Sequence, residues 1–200
     1  MRAALNILDD SGLPELTMRR LAAALEVQAS ALYWHFTNKQ TLLAELADRI
    51  VGRAGELGPA ASADPASGIH PVLAEARALR DALLSYRDGA ELVSSSLALG
   101  LGGFAARERL AAAILASGTD PADAGRAARA LLHFVLGQVS VEQQRLQYDS
   151  LGVLPEPLAP PERQGAAESE SIELDADPSA EFSYGVELFV AGLRSQQHAE

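Results

Sequence analysis

The stretch LTMRRLAAALEVQASALYWHFTNKQTLLAELADRIV, residues 16–51, decides the fold of this chain. Two short helical segments, MRRLAAAL and ASALYWHF, are separated by a break of a few residues and are followed by a long helix. Thr17 is in the position of an N-cap for the first segment. Thr37 and Gln40 have the spacing of a capping box for the long helix. Two short helices joined in this way predict a helix-turn-helix.

The aromatic cluster in the second short segment predicts that part of this helix faces outward. Leu32 and Phe36 are four residues apart and are expected to pack inward on Leu21 and Leu25 of the preceding helix. The three residues between them cannot all be buried, because consecutive helical residues point about 100° apart; these are Tyr33, Trp34 and His35. At least one of the three is therefore expected to contact DNA bases or phosphates.

The composition favours an all-α fold, since hydrophobic residues make up 48% of the chain, alanine and leucine abound, and aromatic residues make up 5%. The absence of cysteine excludes disulfides and thiolate metal sites. No signal peptide is expected, and no uncharged apolar stretch approaches the roughly 18 residues of a membrane span. These features are consistent with a cytoplasmic protein.

The charge of the chain is unevenly distributed. The net charge is -11, yet residues 1–53 contain equal numbers of basic and acidic side chains. The whole negative charge therefore belongs to residues 54–200. The chain can therefore bind a polyanion through the neutral residues 1–53, while the acidic residues 54–200 are repelled by it.

Helical periodicity continues through the remainder of the chain. The first helix is expected to end near Asp10, with Gly12 as its cap and Pro14 preventing continuation. Residues 58–68, GPAASADPASG, are typical of a linker, and residues 87–103 are expected to be a broken stretch. Further helices are expected over residues 70–86, 104–117, 120–147 and 179–196.

The long helix that begins at Asp120 and Pro121 is apolar on several sides, which predicts a central position. Residues 148–178 are rich in proline and acidic residues and are expected to form an exposed, mobile loop. These patterns predict two domains, the first over residues 1–57 and the second over residues 70–200.

The last helix carries a bulky apolar stripe for which two interpretations remain open. The stripe consists of Phe182, Val186, Phe189, Val190 and Leu193. It is expected either to form the interface of a homodimer or to pack within its own chain.

The residues quoted above resemble the DNA-binding domain of the TetR family of transcriptional repressors, with YWH followed by NK and LL as the most specific part. The segments ALRDALLSYRDGAEL, ALLHFVLGQV and FSYGVELFVAGL are similar to the regulatory domain of the tetracycline-repressor-like branch. The resemblance implies an N-terminal three-helix helix-turn-helix domain and a larger helical regulatory and dimerisation domain. It also implies a homodimeric repressor that a small-molecule effector releases from a palindromic operator in double-stranded DNA.

The resemblance assigns contacts with DNA to ten residues. Base contacts fall on Arg19, Gln28, Ala29, Ser30, Ala31, Tyr33 and Trp34, and phosphate contacts on Thr17, His35 and Lys39. The chain begins inside the first helix, without most of the basic arm that precedes this helix in the family. Either a longer natural N-terminus or a weaker DNA affinity is expected from that difference.

The effector pocket departs from the family pattern at several positions. Val93 stands where the tetracycline-repressor-like branch has a metal-binding histidine, Glu75 replaces an asparagine, Leu110 a glutamine and Leu97 an arginine, and His133 is retained. The resemblance therefore implies a largely hydrophobic effector rather than magnesium-bound tetracycline. The expected lining consists of Leu79, Tyr86, Val93, Leu97, Phe104, Arg107, Leu131, His133 and Phe134.

Two other classes of function have to be considered on the sequence alone. The chain could be a helical small-molecule-binding module with weak or lost DNA binding. An enzyme is not expected, because paired carboxylates, a catalytic triad and cofactor motifs are absent. The histidines have no ligand pair at helical spacing, so a metal site is not expected. No cofactor is expected either, since no cofactor motif is present. His133, on an apolar helix, is expected to be a core histidine, with a ligand contact as the alternative.

Overall fold

The computed structural model describes residues 1–57, 70–153 and 177–197, and every regular element within these ranges is an α-helix. The all-α prediction is confirmed. The helices are α1 Arg2–Ser11, α2 Met18–Ala24, α3 Ala29–Tyr33, α4 Lys39–Leu57, α5 Pro71–Leu84, α6 Gly89–Ala98, α7 Phe104–Ala116, α8 Pro121–Ser150 and α9 Pro178–Gln197. We call α1–α4 the head and α5–α9 the body.

The first helix ends, and the second begins, where the sequence predicts. The backbone N–H of Gly12, at φ 81°, donates to the carbonyl of Leu8 at 2.8 Å and closes α1. The hydroxyl oxygen of Thr17 accepts from the backbone N–H of Arg20 at 3.1 Å and caps α2. Both caps satisfy helix-end groups that would otherwise lack a partner.

The turn between α2 and α3 is a Schellman motif built on a residue other than glycine. Glu26 is in the left-handed region at φ 55°, and its N–H donates to the carbonyl of Ala23 at 3.1 Å. The N–H of Val27 donates to the carbonyl of Ala22 at 3.0 Å. This pair of bonds stops α2 and redirects the chain into α3 within four residues.

Helix α3 is shorter than predicted, and α4 begins with a different cap. The helix ends at Tyr33, with Trp34 as its C-cap, whereas the sequence suggested continuation to residue 36. The cap of α4 is Asn38, whose side-chain oxygen accepts from the N–H of Thr41 at 2.9 Å and from its hydroxyl at 3.1 Å. The predicted capping box of Thr37 and Gln40 is therefore wrong.

Helix α4 connects the head to the body. Its buried residues include Leu42, Leu46 and Ile50, and Leu43 is only partly buried. The helix packs on α5, α6 and α7. One hydrophobic core includes buried side chains from all of the helices in the described ranges.

The body is built around α8, which packs on α5, α6, α7 and α9. The side chain of Asp120 caps it at the N–H of Ala122, at 2.7 Å, and the central position is confirmed by the burial of its apolar residues, Ala128, Leu131, Leu132, Val135, Leu136 and Val139. Helix α8 continues to Ser150, so residues 148–150 are helical rather than part of the predicted loop. The predicted linker, and residues 154–176 of the predicted loop, lie outside the described residues.

The predicted broken stretch contains a helix, α6. Asp88, at φ 56°, redirects the chain, and α6 then buries Leu92, Val93 and Ser96. Buried Gln143 of α8 stabilises this turn by accepting from the N–H of Ala90 at 3.2 Å and donating to two carbonyls of the turn. The sequence missed α6 because these stabilising contacts are far apart along the chain.

The cap of α4 generates a direct test. Replacing Asn38 with Ala is expected to lower the free energy of unfolding by about 1 kcal/mol, because the first turn of α4 loses its side-chain acceptor. Chemical denaturation measures this difference. Thr37→Ala is the matched control and is expected to have almost no effect; a larger loss for Thr37→Ala would contradict the assignment of the cap.

Candidate nucleic-acid interface and ligand cleft

The outer face of α3 exposes two large aromatic side chains. Trp34 is 90% exposed and Tyr33 is 52% exposed, while Leu32 between the head helices is buried. Aromatic side chains normally contribute large buried areas, so two adjacent exposed rings indicate a surface that binds another molecule. Phe36 is partly buried against the core, as predicted, whereas Leu25 stays 44% exposed and is not the expected partner.

The other residues assigned to this surface also lie outward. Gln28, at the N-cap of α3, is exposed, and the helix that follows begins with small side chains. The exposed members of the predicted set are Thr17, Arg19, Gln28, Ser30, Ala31, Tyr33, Trp34 and His35, and the partly exposed members are Ala29 and Lys39. Small residues at the start of an exposed helix permit close approach to a groove.

The two adjacent arginines of α2 have different environments. Arg20 donates to Glu15 at 2.6 Å and to the hydroxyl of Ser11 at 2.7 Å, so it braces α2 against α1. Arg19 is exposed and makes no ion pair within the described part of the chain. Arg19 is therefore the cation of this pair that is available to a partner, a distinction that the sequence could not provide.

Most of the residues predicted to line a ligand pocket lie in different environments. Leu79, Val93 and Leu131 are buried in the core, Phe104 and Arg107 are exposed, and Phe134 packs on aromatic rings of α9. The hydroxyl of Tyr86 accepts from Arg53 of α4 at 2.9 Å.

Two of the predicted lining residues do meet at a cleft between α6 and α8. The cleft has a volume of about 400 Å³ and is lined by Ser94, Leu97, Ala98, His133, Leu136, Gly137 and Ser140. His133 is exposed at this cleft, so it is not a core histidine. The spacing of His133, Gly137 and Ser140 places them on one face of α8, a signal that could have identified the two small residues.

Three of the positions at which the family resemblance places polar ligand contacts are Val93, Leu110 and Glu75. In this chain two of them are apolar and buried, and the third forms an ion pair. Val93 and Leu110 are fully buried. Glu75 of α5 is 5% exposed and accepts from Arg109 of α7 at 2.5 and 3.0 Å. Arg109 also donates to the backbone carbonyl of Ala54 at 2.9 Å.

A groove between α8 and α9 contains part of the predicted dimer stripe. Phe182, Val186 and Val190 are buried in their own chain, in agreement with the interpretation of packing within the monomer. Phe189 and Leu193 line a groove of about 570 Å³ with Ala127, Ala130, Leu188 and Gly192, and with Asp123 and Arg126 at its edge. Leu188 and Tyr184 are more than half exposed beside it and were not identified from the sequence.

A third cleft, of about 500 Å³, lies between α5 and α9 and includes His70, Arg77 and Arg194. Burial lowers the pKa of His70, and the positive charge of Arg194 lowers it further. The ring nitrogen Nδ1 of His70 accepts from the N–H of Val72 at 3.3 Å and caps α5. This bond needs the neutral ring, so the cap and the lowered pKa agree.

The described residues contain no cluster of three or more histidine, aspartate or glutamate side chains arranged to bind a metal ion. None of the described helices combines the length and the apolar character that crossing a membrane requires.

Comparisons with known families match the two parts of the chain separately. Residues 1–46 match the family described as bacterial regulatory proteins, tetR family, and residues 69–197 match the tetracyclin repressor-like C-terminal domain. The chain is 33% identical to the class A tetracycline repressor from transposon 1721 of Escherichia coli, over 98% of this chain and 89% of that protein.

Solved structures show the same similarity. Mycobacterium smegmatis BioQ is 40% identical, with a TM-score of 0.76 and coverage of 97% of this chain and 94% of that chain. BioQ with its double-stranded DNA operator has a TM-score of 0.67 at 36% identity, with coverage of 97% and 94%. A TetR variant of Acinetobacter baumannii in complex with minocycline has the same TM-score of 0.67 at 30% identity, with coverage of 98% and 94%.

The aromatic packing below the α8–α9 groove generates a test. A Cβ added at Gly185 would collide with the ring of Phe134, which lies 5.9 Å from the ring of Phe182 and 5.6 Å from that of Phe189, centroid to centroid. Gly185→Ala is therefore expected to lower the free energy of unfolding by about 1–3 kcal/mol through overpacking.

The matched control is Gly125→Ala on α8, where an added Cβ has open space. This change is expected to raise the free energy of unfolding by up to about 1 kcal/mol through helix propensity. Denaturation curves that show equal effects for the two variants would contradict the packing described for Phe134.

Proposed function

The chain belongs to the TetR family of bacterial regulatory proteins, and we propose that it is a homodimeric transcriptional repressor, not an enzyme, that acts on DNA in the cytoplasm. It binds a palindromic operator through the head and is released when a small, largely hydrophobic molecule binds the body. The observation that carries this proposal is the exposed face of α3, with Trp34 and Tyr33 outward and Leu32 buried beneath them.

Helix α3 enters the major groove and reads base edges. Gln28 can bond bidentately to adenine, and Arg19 to guanine, while the rings of Tyr33 and Trp34 contact thymine methyl groups or sugars. The short α3 is enough for this purpose because Gln28, Tyr33 and Trp34 all lie within α3 or at its two caps. The similar structure of BioQ with its double-stranded DNA operator supports this placement.

Phosphate contacts fix the position of the head on the duplex. Thr17 uses its oxygen lone pair to cap α2, so its hydroxyl proton remains available for a phosphate oxygen. Lys39 lies in the first turn of α4, where the helix dipole also favours an anion. His35 completes the set, and none of these contacts specifies sequence.

The effector binds in the cleft between α6 and α8. Leu97 and Leu136 supply apolar surface, and the hydroxyls of Ser94 and Ser140 with the imidazole of His133 supply polar groups. A mostly hydrophobic molecule with one or two hydrogen-bonding groups fits this lining. The absence of a polar side chain at Val93 and Leu110 supports an effector other than magnesium-bound tetracycline.

Helix α6 provides the route from the cleft to the head. It packs on α8 at the cleft and also on α4, and the N–H of Gly103, at the N-cap of α7, donates to Asp48 of α4 at 2.7 Å. A ligand that binds more tightly to one position of α6 shifts the population of α4 positions, and so the spacing of the two heads.

Two chains associate through the groove between α8 and α9. The groove offers Phe189, Leu193 and Leu188 as apolar surface, with small residues that permit close helix packing. An isologous contact of this kind gives the two-fold symmetry that a palindromic operator requires.

The DNA-binding assignment is tested with a duplex selected from a random library by the unmodified protein. Arg19→Ala and Tyr33→Ala are each expected to weaken binding about tenfold or more, because each removes a base contact worth roughly 1–3 kcal/mol. Arg129→Ala, an exposed arginine of the body, is the matched control and is expected to leave affinity unchanged.

Fluorescence anisotropy at several salt concentrations measures these affinities, and a steep decrease with salt is expected. Salt-independent binding, or equal affinities for the three variants, would count against the assignment. If the protein binds small molecules but selects no duplex, the result would instead favour a ligand-binding module without DNA binding.

The effector assignment is tested by thermal shift. Tetracycline with magnesium is expected to leave the melting temperature unchanged, whereas members of a panel of hydrophobic compounds are expected to raise it through binding to the native state. Gly137→Leu is the diagnostic variant, since an added Cβ meets no atom within 4 Å and the larger side chain fills the cleft.

This variant is expected to lose the response to those compounds while it melts near the temperature of the unmodified protein. A magnesium-dependent stabilisation by tetracycline, or an unchanged compound response in Gly137→Leu, would overturn the proposed site.

A further inference from the structure

A single guanidinium joins three helices at the end of α4. Arg109 extends from α7 and donates to both oxygens of Glu75 on α5, from Nε at 2.5 Å and from Nη2 at 3.0 Å. The same Nη2 donates to the backbone carbonyl of Ala54 on α4 at 2.9 Å. The paired, buried carboxylate of Glu75 fixes the orientation of the guanidinium.

The position of this contact on α4 has a chemical reason. Ala54 lies in the last turn of α4, where the helix dipole is negative and favours a positive charge. The last turn of α4 has no basic side chain of its own. Arg109 supplies a positive charge to this end of α4 from a different helix.

The two glycines of α4 differ in how closely Arg109 approaches them. A Cβ added at Gly55 would collide with Nη1 of Arg109, whereas a Cβ at Gly52 would meet no atom within 4 Å. Glycine is unfavourable in a helix interior, so each glycine weakens α4. Of these two glycines, only Gly55 lies where a side chain would displace Arg109.

We propose that Arg109 is a positioning residue for DNA binding, which fixes the body end of α4 and thereby holds both heads at the spacing that the operator requires. The proposal rests on the proposed function. A dimer with loosened α4 helices spends less time with its heads correctly spaced, and its affinity for a full operator decreases in proportion. Binding of one head to a half-site does not depend on the spacing and is unaffected.

The test compares Gly55→Ala with the matched control Gly52→Ala. The first change displaces Arg109 from Ala54 without removing a charge, and the second adds the same methyl group to the same helix in open space. The probes are the full duplex selected by the unmodified protein and a duplex that contains one half of it.

Gly55→Ala is expected to weaken binding to the full duplex about tenfold, since one hydrogen bond from a charged donor is lost, and to leave half-site binding unchanged. Gly52→Ala is expected to bind both duplexes like the unmodified protein. Equal full-duplex affinities for the two variants would overturn the proposal, as would an equal loss on full and half sites, which would indicate general damage to the head.

A charge exchange separates the contact with α4 from the ion pair itself. Glu75→Arg combined with Arg109→Glu restores a pair between α5 and α7 but turns a carboxylate toward the carbonyl of Ala54. The double variant is expected to regain the melting temperature lost in Arg109→Glu without regaining affinity for the full duplex. Recovery of full-duplex affinity would show that the ion pair alone is required, and would overturn the proposal.

The experiments distinguish a failure of DNA binding from a failure of the role of Arg109. If the unmodified protein selects no duplex, the proposed function fails and the role of Arg109 fails with it. If the unmodified protein binds a duplex but Gly55→Ala behaves like Gly52→Ala, only the role of Arg109 is overturned.

Discussion

The structure depends on the burial of one helix, α4, between two sets of neighbours. Leu42, Leu46 and Ile50 join the head to a core that continues into the body, and α4 packs directly on α5, α6 and α7. Hydrogen bonds join the body to this helix at Asp48 and Ala54, which accept, and at Arg53, which donates. The position of the head is therefore determined by packing and by directed polar contacts, both of which a ligand in the body can alter.

The head and the body also differ in charge and in the surfaces that they expose. The head has no net charge over residues 1–53, and it presents exposed aromatic and small polar side chains on α3. The acidic remainder of the chain repels a polyanion, which favours approach to DNA by the head alone. The body contributes a cleft between α6 and α8 and an apolar groove between α8 and α9, which we propose as the sites for an effector and for a second copy of the chain.

Local signals in the sequence predicted most of the fold. Thr17, Gly12 and Asp120 cap helices through contacts within a few residues, and the apolar pattern of α8 reflects a helix surrounded by others. Non-local contacts produced the differences. Helix α6 depends on Gln143 of a distant helix, and Arg109 pairs with Glu75 across the body. Periodicity also cannot distinguish a core residue from a pocket residue, and Leu79 and Val93, which were predicted to line a pocket, are buried.

The central claim is that the face of α3 contacts operator DNA and that a ligand in the body ends this contact. Trp34 is the only tryptophan in the chain and is 90% exposed, so its fluorescence reports on that face alone. The emission of Trp34 is predicted to change as the selected duplex is added, to saturate at one duplex per dimer, and to return to its starting value when a compound that binds the body is added. Binding of the duplex without a change in Trp34 emission would contradict the account.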